Sequence, residues 1–147
     1  MENIELKIKY MTDIKPITVS DNGDWIDLRS SVDVDLNFLE FQYIPLGICM
    51  ELPKGYSAII APRSSTYKKW GIVVANSIGI IDESYNGDHD EWHLPVIALR
   101  HTHIYKNDRI CQFRIVREQP KDPELDIQTV EFLGNEDRGG FGSTGRR

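Results

Sequence analysis

The chain has 147 residues, of which 40% are hydrophobic and 27% charged, and a formal net charge of −6. This composition is typical of one globular domain, and the acidic balance argues against nucleic-acid binding, which needs a basic face. No apolar run is long enough to span a membrane and the N-terminus lacks a secretory signal, so we expect a cytoplasmic protein without membrane contacts.

The chain is dominated by strand-like segments. IELKIKY at the N-terminus alternates apolar and charged residues, which predicts a strand. Further segments rich in β-branched and aromatic residues follow, separated by Gly, Pro, Asn and Asp: WIDLRS, FQYIPLGICMEL, YSAIIAP, WGIVVANSIGIID, WHLPVIALRH, DRICQFRIV and IQTVEFL. Two of them contain Cys49 and Cys111, which we expect to be buried, reduced thiols.

One short helix is predicted over SSTYKKWG, with hydroxyl residues that can cap its start and Gly71 at its end. We therefore predict an all-β domain over residues 1–133, a barrel or two-sheet jelly roll with one short helix. Residues 134–147 hold five glycines and one aromatic residue, which predicts a flexible C-terminal arm.

Two segments offer groups that suit an anion. In APRSST, Arg63, Ser64 and Ser65 precede the helix, where free N–H groups and a guanidinium attract phosphate. A plain helix cap with a surface arginine is the alternative. In DRICQFRIV, Arg109 and Gln112 supply a planar guanidinium and an amide donor, although an ordinary edge strand has the same pattern.

Two carboxylates stand out. Asp82 follows an apolar strand in NSIGIIDESYNGD and could act as a general base on water, or could serve only the turn. Asp27, between Ile26 and Leu28, needs a partner and could bind Mg²⁺ directly or through water. His101 and His103 would share a strand face, but their spacing fits no usual zinc pattern.

The order of five segments is more informative than any one of them. DWIDL, PRSS, GIIDESYNGD, RICQ and RGGFGSTG resemble, in order and approximate spacing, the five motifs of the trimeric dUTPase family. The resemblance extends from about Asp24 to Gly145. It implies a jelly-roll-like β-barrel, a homotrimer with active sites shared between subunits, and hydrolysis of dUTP to dUMP and pyrophosphate by water attack on the α-phosphorus. The implied cofactor is Mg²⁺, mainly on the triphosphate.

The resemblance also implies residue roles. Asp82 is similar to the base that activates water, Tyr85 to the residue that packs on the deoxyribose and excludes a 2′-hydroxyl, and Asp27 to the aspartate at the metal end of the site. The remaining roles are uracil recognition by Asn76, Gly79 and Ile81, phosphate binding by Arg63, Ser64, Ser65 and Gln112, and closure of the arm over the nucleotide by Arg138, Phe141, Gly142, Ser143 and Thr144. In this scheme Phe141 stacks on uracil.

Two departures from the family pattern matter. RGGF has two fewer residues between arginine and phenylalanine than the common fifth motif, so Phe141 need not reach uracil. HDEWH looks like an insertion that brings Trp92 near the nucleotide, and Trp92 is a second candidate for stacking.

Two alternatives share this fold. A dCTP deaminase-like or bifunctional enzyme would need a glutamate at the ring, and Glu83 should point to the opposite face from Asp82. A regulatory member would act by binding a protein partner, as in phages. The short acidic chain suits a bacterial or a phage enzyme equally.

Overall fold

The computed structural model describes residues 3–140. Within that range the chain forms strands and one five-residue helix, with these bounds: β1 Lys7–Tyr10, β2 Ile26–Arg29, β3 Val34–Leu36, β4 Phe41–Pro45, β5 Ile48–Glu51, β6 Tyr56–Pro62, α1 Thr66–Trp70, β7 Ile72–Val74, β8 Gly79–Ile81, β9 His93–Ala98, β10 Thr102–Ile104 and β11 Arg109–Arg117. The prediction of an all-β, jelly-roll-like domain with one short helix is confirmed. No helix in the described part of the chain is long and apolar enough to cross a membrane.

All strand pairs are antiparallel and form four sheets. The largest has the order β2-β11-β6-β8, and a second has the order β4-β9-β7. Two short sheets, β1-β5 and β10-β3, complete the fold. In the largest sheet β11 pairs on both sides, so that Phe113 lies opposite Ile26 of β2 and Ile60 of β6.

One apolar cluster connects these sheets. The inward side chains of the four-stranded sheet, such as Leu28, Ile60 and Phe113, are at most 1% exposed, and they share the cluster with buried residues of β4 and β9. Removal of this apolar surface from water contributes most of the folding free energy. Both Cys49 and Cys111 are buried free thiols, as predicted.

Several predicted boundaries need correction. FQYIPLGICMEL forms two strands, because Gly47 between them has φ +75°, and a Cβ there would lie 2.9 Å from the Ser31 Cβ. WGIVVANSIGIID is likewise divided, into β7 and β8, by a turn in which Ser77 has φ 67°. The three-residue strands β3 and β10 have too few residues to show a period and were not predicted.

The strand predicted over IQTVEFL is wrong. Residues 127–133 have no regular secondary structure, and the side chains of Ile127, Phe132 and Leu133 are exposed. A strand needs a hydrogen-bonded neighbour, and none of the described strands pairs with this segment. The boundary expected at residue 134 stays a prediction.

The helix has its predicted position but not its predicted cap. Ser65 occupies the N-cap position without a side-chain capping bond, and Gly71 ends the helix in the left-handed conformation. The hydroxyl that acts here belongs to Thr66, which accepts from the Arg63 N–H at 2.8 Å and donates to the Ile110 carbonyl at 2.9 Å. Thr66 therefore ties the segment before the helix to the strand β11.

Trp92 lies in the core, where its ring packs edge to face on Phe113 with centroids 5.4 Å apart. Trp92→Ala should lower the free energy of unfolding by about 3–5 kcal/mol, because it leaves a large cavity. Urea unfolding followed by circular dichroism measures this change. The exposed Val19→Ala is the control, expected within about 0.5 kcal/mol of wild type; equal effects of the two substitutions would remove Trp92 from the core.

Candidate active site

A cavity of about 650 Å³ opens beside the edge strand β8. Its wall contains the following residues that the sequence had singled out: Asn76, Gly79, Ile81, Asp82, Tyr85 and Trp92. The structure thus brings together the candidates for base recognition, sugar packing and water activation. Tyr43, Ser84, Glu91 and His93, which the sequence did not single out, also line it.

The turn that connects β7 to β8, which belong to different sheets, positions this wall. It is closed by the Ser77 N–H on the Val74 carbonyl at 3.0 Å and by the Ile78 N–H on the Asn76 carbonyl at 2.7 Å. Gly79 lies opposite Ile60, and a Cβ at Gly79 would approach the Ile60 Cβ to 3.3 Å. A glycine here therefore lets β8 lie close against β6.

The two carboxylate oxygens of Asp82 have different hydrogen-bonding environments. Oδ2 accepts from the Ser84 backbone N–H at 2.9 Å and also from the Ser84 hydroxyl, so one oxygen serves the turn. Among residues 3–140, no group donates a hydrogen bond to Oδ1. The hydroxyl bond, and then the backbone bond, lowers the pKa of Asp82 below its ordinary value, so the carboxylate is ionised at neutral pH.

Ser84 was missed by the sequence analysis, although the signal was present. A serine two residues after an aspartate is a common pattern for side-chain bonding within a turn. Glu91 and Tyr43, in contrast, carry no local pattern, and only the tertiary structure shows that they reach the cavity.

Trp92 borders the cavity, but its ring is buried in the core. The indole is 0% exposed and stands edge to face on Phe113, and its N–H has no hydrogen-bond partner among residues 3–140. A ring without exposed area cannot stack on a base. The hypothesis that Trp92 takes the stacking role is therefore wrong.

A second cluster lies on β2, β11 and the segment after β6. Asp27 Oδ1 is 3.1 Å from the Arg63 Nε, and its Oδ2 is 3.2 Å from the Arg109 Nη1. Strand register explains the cluster, because Gln112 lies opposite both Asp27 and Ala61. The partner expected for the Asp27 carboxylate is thus a pair of arginines.

The phosphate candidates surround this cluster. Arg63 also donates from Nη1 to the Arg109 carbonyl at 2.8 Å, and Gln112 donates from Nε2 to the Pro62 carbonyl at 3.1 Å. Ser64 is exposed and Ser65 half-buried at the helix start. None of these residues lines the cavity beside β8, so the described chain holds the two groups of candidates apart.

The Mg²⁺ role expected of Asp27 does not fit this geometry. Both carboxylate oxygens are paired with guanidinium groups, whose positive charge opposes a dication at the same place. Among residues 3–140 there is also no group of three or more His, Cys, Asp and Glu side chains able to hold a metal. His101 and His103 share a face, as expected, and both approach Asp35, at 3.0 and 3.5 Å.

The arm candidates are only partly described. Arg138 is exposed and lines neither the cavity nor the Asp27 cluster. The remaining arm residues of the proposed site, Phe141, Gly142, Ser143 and Thr144, lie outside the described residues.

Comparison with known proteins places this geometry in a family. A family profile described as dUTPase matches residues 10–145. The SPbeta prophage-derived deoxyuridine 5'-triphosphate nucleotidohydrolase of Bacillus subtilis (strain 168) is 52% identical over 145 residues, covering 98% of this chain and 100% of that protein.

Solved structures with the same fold include phage and bacterial dUTPases. A Staphylococcus bacteriophage 80alpha dUTPase with dUpNHpp has a TM-score of 0.77 at 19% identity, covering 97% of this chain and 99% of that one; phage dUTPases including the 80alpha protein are described as controlling transfer of virulence genes. A dUTPase of the Staphylococcus aureus phage phi11, described with a structural Mg(II) ion, has a TM-score of 0.70 at 17% identity, covering 88% and 98%. On the profile match and the prophage relative, the chain belongs to the dUTPase family.

Proposed function

We propose that the chain hydrolyses dUTP to dUMP and pyrophosphate. The observation that carries this proposal is the Asp82 carboxylate, ionised and held through one oxygen, at the rim of the cavity beside β8. The other oxygen accepts a proton from water, which attacks the α-phosphorus as the pyrophosphate leaves. A positioned carboxylate of this kind acts as a general base.

Uracil recognition is assigned to the main chain of β8 and of the turn before it. β8 is the terminal strand of its sheet, so one row of its peptide groups pairs with β6 and the other row faces outward. Gly79 and Ile81, with Asn76 before them, line the cavity, and their main-chain groups are proposed to pair with the uracil edge. A site that pairs with the uracil edge leaves buried polar groups unpaired with cytosine, which gives strong rejection.

Sugar recognition is assigned to Tyr85. Its ring lies in the cavity wall and its hydroxyl donates to the Glu91 carbonyl at 2.9 Å. In this proposal the ring packs against the deoxyribose and fills the space that a 2′-hydroxyl would need.

Phosphate binding is assigned to Arg63, Ser64, Ser65 and Gln112. One chain keeps these residues out of the cavity that holds Asp82. A homotrimer in which one subunit supplies the cavity and a neighbour supplies the phosphate residues accounts for this separation. Asp27 would then hold the Arg63 and Arg109 guanidinium groups in place for the triphosphate.

The C-terminal arm is proposed to close over the bound nucleotide. Arg138, Gly142, Ser143 and Thr144 would contact the γ-phosphate end, and Phe141 would stack on uracil. The burial of Trp92 leaves Phe141 as the candidate for that stacking. Closure of this kind excludes bulk water from the reaction.

Magnesium is proposed to arrive as part of the substrate, the Mg²⁺ complex of dUTP. Triphosphate oxygens are the hard ligands that this ion prefers, and Asp27 is already neutralised by two arginines. The buried free thiols Cys49 and Cys111 are compatible with the cytoplasm of a bacterium or of a phage host as the site of action.

The deaminase alternative is disfavoured by Glu83. Its Oε2 accepts from the Gly55 N–H at 2.9 Å, and the residue does not line the cavity. Glu83 therefore does not supply a carboxylate to the cavity; it points away as expected, although residues 82–85 form a turn and not the extended chain on which that expectation rested.

Pyrophosphate release from dUTP, dCTP, dTTP and UTP with Mg²⁺ tests the proposed function. We expect release from dUTP, and Asp82→Asn should lower kcat by about 10²–10⁴-fold because the base is lost. Asp88→Asn, an exposed carboxylate paired with Lys9, is the matched control and should leave kcat unchanged. Ammonia is measured in the same reactions, and its release from dCTP, alone or with pyrophosphate, would favour the deaminase-like or bifunctional alternative. No release from any nucleotide would favour a protein-binding role, tested by a pull-down for a stoichiometric partner.

The pH dependence follows from the Ser84 bonds. They lower the pKa of Asp82, so the acidic decline of kcat/KM lies below the ordinary carboxyl range in the wild type. Ser84→Ala removes the hydroxyl bond, raises the pKa of Asp82 and should move that decline to higher pH. Ser84→Thr retains a hydroxyl and should restore it. An NMR titration of the Asp82 carboxyl measures the same shift directly, and an identical titration in Ser84→Ala would contradict the role of Ser84.

A further inference from the structure

We propose that Glu91 is a positioning residue that fixes Tyr85 and thereby sets the discrimination between deoxyribose and ribose. This inference rests on the proposed function, because it concerns the sugar subsite of the same cavity. Glu91 belongs to the segment HDEWH, residues 89–93, which looks like an insertion. The proposed reaction assigns this segment no other role.

Glu91 links two parts of the fold. Its side-chain Oε2 accepts from the Gly47 N–H at 3.1 Å, in the turn between β4 and β5. Its main-chain carbonyl accepts from the Tyr85 hydroxyl at 2.9 Å. The Tyr85 ring is therefore tied, through a single residue, to a turn on the other side of the cavity wall.

The anchor at Gly47 is rigid. The Gly47 carbonyl accepts from the Met11 N–H at 2.8 Å. On either side of it, the Leu46 N–H donates to the Trp92 carbonyl and the Trp92 N–H donates to the Ile48 carbonyl, both at 2.9 Å. Glu91 thus precedes a residue whose backbone is fixed on both sides and whose side chain is buried in the core.

Tyr85, in contrast, lies on a less constrained part of the loop and is 38% exposed. Its ring can turn about two side-chain bonds unless the hydroxyl is held. A ring held at one place excludes a 2′-hydroxyl by contact, whereas a ring that can move aside admits it. The hydrogen bond from the Tyr85 hydroxyl to Glu91 restricts rotation of the ring and so keeps it in the position that excludes a 2′-hydroxyl.

The hydroxyl remains a donor throughout the neutral range. Burial raises the pKa of Tyr85 above the ordinary tyrosine value, and the charges of Asp90 and Glu91 act in the same direction. The phenol keeps its proton below that raised pKa, so discrimination between the sugars should not change around neutral pH.

The other carboxylates of the loop have different partners. Asp90 Oδ2 accepts from the Gly87 N–H at 2.9 Å and closes the loop on itself. Asp88 lies 3.7 Å from the Lys9 ammonium and is 82% exposed at its side chain. Neither contacts Tyr85 by a hydrogen bond, so Asp88 is a matched control on the same loop.

The test compares kcat/KM for dUTP and for UTP, both with Mg²⁺. Glu91→Ala should lower the dUTP-to-UTP ratio about tenfold, and Tyr85→Phe should do the same. The double variant should show no further loss, because in this proposal the Glu91 side chain acts on the sugar subsite only through the main-chain carbonyl that holds the Tyr85 hydroxyl. Glu91→Gln retains an oxygen for the Gly47 N–H and should keep the ratio within about twofold of wild type, as should Asp88→Ala. Equal losses for both nucleotides in Glu91→Ala, or effects that multiply in the double variant, would overturn the proposal.

NMR of the Tyr85 ring protons gives a readout that does not need activity. Glu91→Ala should shift these signals towards those of a freely rotating tyrosine, while Glu91→Gln should preserve them. Unchanged ring signals in Glu91→Ala would contradict the proposal that the Glu91 side chain fixes the position of Tyr85. If the wild type hydrolyses neither nucleotide, the proposed function fails, and the ring signals still decide whether Glu91 fixes Tyr85.

Discussion

The pairing of β11 with strands on both of its sides is the constraint on which the rest of the structure depends. Through β2 it brings Asp27 opposite Gln112, and through β6 it brings Pro62, and hence Arg63, to the same place. β6 in turn pairs with β8 on its other side, and Asp82 directly follows β8. Both groups of candidate residues are therefore positioned by one four-stranded sheet, and its buried side chains hold them in register.

Two residues of the candidate site use one polar group for a hydrogen bond that stabilises the fold and a second polar group for a proposed functional role. In Asp82 one oxygen closes a turn and the other is available to water. In Glu91 the side chain binds the β4–β5 turn while the main-chain carbonyl holds Tyr85. The geometry of Asp82 is therefore compatible both with a role in the turn alone and with a catalytic role.

Much of the fold could be predicted from local patterns. Period-two segments such as IELKIKY and the long apolar runs became strands, and Gly71 ended the helix as expected. The failures were non-local. IQTVEFL has a strand-like composition but no partner among the described strands, and β3 and β10 form only because each is the other's neighbour. Similarly, nothing near Trp92 in the sequence shows that Phe113 will enclose it, and nothing near Glu91 points to Gly47.

The outward edge of β8 has a consequence for solubility. An edge strand with open peptide groups is a template for strand addition by another chain, and here Ile78 is 41% and Ile80 71% exposed beside it. The proposed recognition of uracil by the main chain requires that this edge stay open, so under that proposal it cannot be covered permanently. The risk is limited by length and by the flanks: the strand has three residues, the left-handed Ser77 precedes it, and the charged Asp82 follows it. Because β8 has only three residues, it offers another chain few open peptide groups, whereas a longer edge strand would be more prone to aggregation.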